Sequence, residues 1–148
     1  MAWTQYTAEP RSVTGIYGEA PSLERFALEH LSAYGREVTL RGDLAQLPEP
    51  LPPRWQARGY TRAELSLKLS EVVECEITGV PDFHFDGNQC VTGDPVDLCV
   101  ALSERTWSAP DGTERAFVEV VGESPYLRFR MLCRELSATV DGYVPGPY

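Results

Sequence analysis

Apolar and polar residues alternate with a period of two along most of this chain, the pattern of strands with one buried face. Val38, Leu40 and Gly42 alternate with Thr39, Arg41 and Asp43. Ala63, Leu65, Leu67 and Leu69 oppose Glu64, Ser66, Lys68 and Ser70; then Val73, Cys75 and Ile77 oppose Glu74, Glu76 and Thr78. The junction at residues 70–72 predicts a tight turn or a bulge between two strands. Phe83 and Phe85 alternate with Asp82, His84 and Asp86, and Val96, Leu98, Val100 and Leu102 with Asp97, Cys99 and Ala101. Asp111-Gly112 is a strong hairpin signal and joins residues 105–108 to the run 116–121. A second turn is expected at 122–125. Beyond it Leu127, Phe129, Met131 and Cys133 form one strand, and Leu136, Ala138 and Val140 the last.

Two stretches resist that period. In residues 22–35, Leu23, Phe26, Ala27, His30, Leu31 and Tyr34 fit a helical face, with Ser22 as cap and Gly35 as stop. Phe26, Leu28 and His30 fit a strand instead, but the alternation slips at Leu31. Both readings stand, with the strand favoured because the rest of the chain is β. The second stretch is residues 42–55, where Pro48, Pro50, Pro52 and Pro53 fall within six residues. Proline fixes φ and removes a backbone donor, which predicts an extended run ending on Trp55, neither helix nor central strand. Residues 1–15 predict a short edge strand or an irregular arm. The sum is a mainly β chain: an antiparallel sandwich or strongly curved sheet of eight or nine short strands, with at most one helix. One domain covers residues 1–148, and residues 1–15 and 144–148 are expected to be loosely ordered.

Composition narrows the function classes. The 148 residues carry 22 acids against 13 bases, a net charge of −9. That disfavours nucleic acid, whose phosphates require a basic footprint, and suits a basic protein partner. No apolar run approaches the ~20 residues of a membrane span, and the start lacks a basic and apolar leader, so a cytoplasmic location is expected. Cys75, Cys90, Cys99 and Cys133 contain no C-x-x-C pair, which predicts reduced, partly buried thiols rather than a zinc ribbon.

Three groups are candidates for function. On a strand, Asp82, His84 and Asp86 share one face and have the chemistry of a metal site or an acid–base pair. A solvated face above Phe83 and Phe85 is the plainer interpretation, and no metal or other cofactor is expected. Glu71, Glu74 and Glu76, with Asp94 and Asp97, concentrate negative charge in the middle of the chain, as a docking surface or as the wet face of a sheet. Arg54, Trp55, Arg58 and Tyr60 are expected to lock the proline segment onto the domain. The sequence contains no nucleophile elbow, phosphate loop, dinucleotide fingerprint or H-E-x-x-H, so an enzyme is not expected.

The stretches IYGEAPSLE at 16–24, VTLRGDLAQLPEPLPPRW at 38–55 and AELSLKLSEVVECEITG at 63–79 resemble the bacterial immunity protein 50 family, and weaker similarity runs to about Tyr143. Members are thought to protect cells from polymorphic toxins. The resemblance implies a β fold, no catalytic residues, and a cognate toxin domain as protein partner. It also implies a structural loop carrying Asp43, Pro52, Pro53 and Trp55. Combined with the charge, it makes Glu71, Glu74, Glu76, Asp82 and Asp86 the candidate partner contacts. The rival expectations are a protein-binding module of unrelated role, or a metal-dependent hydrolase using Asp82, His84 and Asp86.

Overall fold

The computed structural model describes residues 2–79, 84–86, 89–91 and 95–146. It is mainly β. The strands are β1 (Phe26–Tyr34), β2 (Glu37–Asp43), β3 (Arg62–Gly79), β4 (His84–Asp86), β5 (Gln89–Val91), β6 (Pro95–Ser108), β7 (Glu114–Glu123) and β8 (Leu127–Tyr143). All pairings are antiparallel, in the order β2-β3-β8-β7-β6-β1, and β1 pairs back onto β2. Six strands therefore close on themselves, the extreme of the strongly curved sheet expected. The β6 seam with β1 is two pairs long, Phe26↔Val96 and Ala27↔Pro95, and β5 takes the next stretch of β1.

Bulges explain where the alternation slips. β1 shifts register between Leu28 and His30, so Phe26, Leu28 and Leu31 all reach the core although their spacing is two and then three. Residues 22–35 are thus a strand from Phe26, and the helical spacing comes from one extra residue. The expected break at 70–72 is likewise a bulge within a single strand. β3 runs 18 residues, Glu71 has φ 56°, and register against β8 shifts between Val72 and Glu74. The last two expected strands also merge, into the 17-residue β8. Two pairs of expected short strands are thus single long ones, because a bulge changes phase without ending the pairing.

The core lies inside this ring. Phe26, Leu28, Leu40, Leu65, Leu67, Leu69, Met131 and Leu136 have no exposed surface. Burial of each such side chain is worth roughly 1.5–3 kcal/mol. Where β7 leaves β8, past Val118↔Cys133, the vacated edge of β8 receives the N-terminal segment: the Ala8 amide donates to the Leu136 carbonyl at 2.8 Å. Here the sequence misled. Residues 2–15 form no strand; Trp3–Tyr6 is a 3₁₀ turn and Arg11–Tyr17 a helix, α1, which buries Val13. The turn packs on β6 and α1 on β8, so this segment plugs the side of the ring.

The proline segment needs a second correction. Residues after Leu44 do leave the sheet, and Pro52 is extended, but Pro53–Arg58 is a helical turn, α2. Proline at the first helical position forfeits no hydrogen bond, so Pro53 starts the turn instead of forbidding it. α2 carries Trp55 into the core at 2% exposure, edge-on to Tyr60 with ring centroids 6.0 Å apart. Both rings lie against the α-carbon of Gly142, where any side chain would collide with them.

Candidate functional site

The loop that the resemblance marks as structural is tied down by a buried carboxylate. Asp43 ends β2 and is 5% exposed. The Tyr143 hydroxyl donates to its two oxygens at 2.7 and 2.6 Å, and the Arg62 guanidinium stands 3.5 Å away. Desolvation, reinforced by the Asp43 hydrogen bond, pushes the Tyr143 phenol well above its ordinary value. On the same wall, burial raises the Glu64 carboxyl; Arg41 opposes that shift, while Asp43, Glu29 and Asp141 add to it. These four acids are far apart in sequence; Asp43↔Glu64 and Glu64↔Asp141 pairing brings three of them together and Glu29 comes from β1, so no local charge run announces them.

The acids singled out from the sequence are distributed differently. Glu71 stands 3.9 Å from both Arg36 and Arg134, the outer limit of an ion pair. Glu74 is held by Arg105 on one oxygen and by Arg130 at 3.2 Å on the other, and Arg130 continues to Glu119 at 2.7 Å. Glu76 is exposed and forms no ion pair among the described residues. The middle of the chain is therefore not a uniformly acidic surface. Glu74 is neutralised within a network, Glu71 is loosely held, and Glu76 is open. Asp82 lies outside the described residues, and Asp86 and His84 belong to β4, paired with Gln89 and Val91 of β5. Among the described residues no three His, Cys, Asp or Glu side chains gather as a metal site. Of the thiols described, Cys75 and Cys99 are exposed, Cys133 is buried, and all three are free.

Beside Glu71 the separation of β7 from β8 opens a cleft of about 480 Å³, lined by Ser70, Glu71, Trp107, Arg115, Arg134 and the N-terminal Ala8, among others. Trp107 is its aromatic wall. The Arg134 guanidinium lies 4.8 Å from the ring centroid and that of Arg115 5.9 Å, both within cation–π range. Among the described residues Arg134 donates no hydrogen bond and the buried Trp107 Nε1–H has no acceptor. Behind the indole, Phe117 is tilted against it at 6.5 Å and covered by Arg105 at 5.6 Å. Sequence reasoning missed this group. Its signal was an arginine at 105, 115 and 134 facing aromatics at 107 and 117, legible only once the β6–β7 hairpin register is known.

Comparison of the chain with family models, with curated proteins and with solved structures returns no match. No helix among the described residues is long and apolar enough to cross a membrane.

Proposed function

We propose that this chain is a non-catalytic binding protein, and that it serves as an immunity protein which holds and blocks a co-encoded toxin domain. The observation that carries the binding role is the Trp107 cleft. A tryptophan flanked by two guanidiniums, in a recess formed by four separate chain segments, has the composition and shape of an interface anchor. Glu71 sits at its rim with only loose intramolecular partners, available to a basic group of the partner. The toxin as partner rests on the sequence resemblance and on the net charge of −9.

The test is co-expression with the product of an adjacent toxin-like reading frame. Neutralisation by the wild type and its loss in Arg134→Glu, with unfolding unchanged, is the expected result. If no neighbouring product is neutralised, the immunity role falls. If Arg134→Glu neutralises fully, the cleft is not the anchor.

A further inference from the structure

β3 outruns β2. The β2 pairing ends at Val38↔Leu69, whereas β3 continues to Gly79 with β8 on its other side. The Val72 amide still donates to the Arg36 carbonyl at 2.8 Å. From Val73 to Gly79, about 23 Å of strand, no described residue pairs with the side of β3 that faces away from β8. Unpaired main-chain groups in a row are a template for another strand, which is why such edges are normally short, charged or bulged. The β4–β5 hairpin does not fill this position, because β5 pairs with β1.

The two faces of the edge differ. Cys75 and Ile77 lie opposite Met131 and Phe129, both members of the core cluster, and so share its inner face. Glu74, Glu76 and Thr78 lie opposite Leu132, Arg130 and Arg128 on the outer face. Residues 70–79 contain three acids and no base. A second copy pairing on this edge would bring the open Glu76 carboxylate, which has no ion partner among the described residues, toward the acids of its own kind, and like charges across a ladder are destabilising. A strand with basic residues on one face and small apolar residues on the other avoids that repulsion and places a base beside Glu76.

We propose that Val73–Gly79 is a docking edge which takes an extended, alternately basic and apolar segment of a partner protein as an added antiparallel or parallel strand. Main-chain hydrogen bonds supply affinity and the alternating side chains supply selectivity. The assignment rests on the chain being a binding protein, not on the partner being a toxin.

The probe is a capped peptide alternating lysine and valine, with one alternating glutamate and valine as control, both read by hydrogen–deuterium exchange. The lysine peptide should bind saturably and slow exchange at residues 73–79. Glu76→Lys, an exposed position, should weaken it about fivefold and admit the glutamate peptide. Slowing confined to the Trp107 cleft would overturn the assignment. So would equal binding of both peptides, or protection of 73–79 by self-association without peptide. Toxin neutralisation by a chain whose edge takes no strand would remove the edge and leave the immunity role. Strand capture by a chain that neutralises nothing would do the reverse.

Discussion

The two halves of β3 belong to one unbroken strand and do opposite things. In the proximal half, Ala63, Leu65, Leu67 and Leu69 are at most 1% exposed, and β2 and β8 pair on both sides. In the distal half, Val73 is 41% exposed, Cys75 is exposed, and among the described residues only β8 pairs. A bulge at Val72–Glu74, preceded by Glu71 in left-handed backbone, separates them. The difference teaches that a strand can be scaffold along one stretch and interface along the next. The phase change at the bulge lets the same backbone stop filling the core without ending.

The largest effect should come from truncating the proximal half. Leu67→Ala, at a position with no exposed surface, should cost about 2–5 kcal/mol in urea unfolding. Ile77→Ala in the distal half should cost about 1 kcal/mol or less, because only part of that side chain leaves water. Similar costs for both would erase the distinction. Next in size is Gly142→Val, which places a side chain against Trp55 and Tyr60. It should lose about 1–3 kcal/mol and expose Trp55, measurable as a red-shifted emission.

Cys133, opposite Val72 where the halves meet, sharpens the comparison through pH. Burial raises its thiol from 9.0 to about 12. The folded state keeps the proton that the unfolded chain gives up first, so this stabilisation is complete below pH 9 and is lost as pH rises toward 12. Cys133→Val should flatten the decline of stability over that window; an unchanged alkaline profile would contradict the burial argument. The smallest effect is expected from Glu74→Gln, which breaks contacts to Arg105 and Arg130 on a half-exposed surface. A loss below about 1 kcal/mol, vanishing at high salt, is the expected outcome in thermal unfolding.

Much of this was legible before the structure because period two is a local signal. The runs at 63–69 and 96–102, and the turn at Asp111-Gly112, fall where the alternation put them. Ring closure was not legible, since the Phe26↔Val96 seam joins residues far apart in sequence. Nor were the helices: α1 has Gly15 inside it and α2 begins on Pro53, so local propensity argued against both until packing of Val13 and Trp55 decided the matter. The acids at 71, 74 and 76 were visible as a group. Their different states were not, because Glu71 and Glu74 are set by arginines 31 or more residues away, with Arg105 and Arg130 arriving on β6 and β8 for Glu74.

The division within β3 can be read directly by native-state hydrogen exchange followed amide by amide. Unbroken protection through residues 63–69 and a pattern of alternating slow and fast amides through 73–79 is the predicted result, since every second amide there has no partner among the described residues. Uniform protection continuing to Gly79 would mean that something already pairs with the distal edge, and the interface assigned to it would be withdrawn.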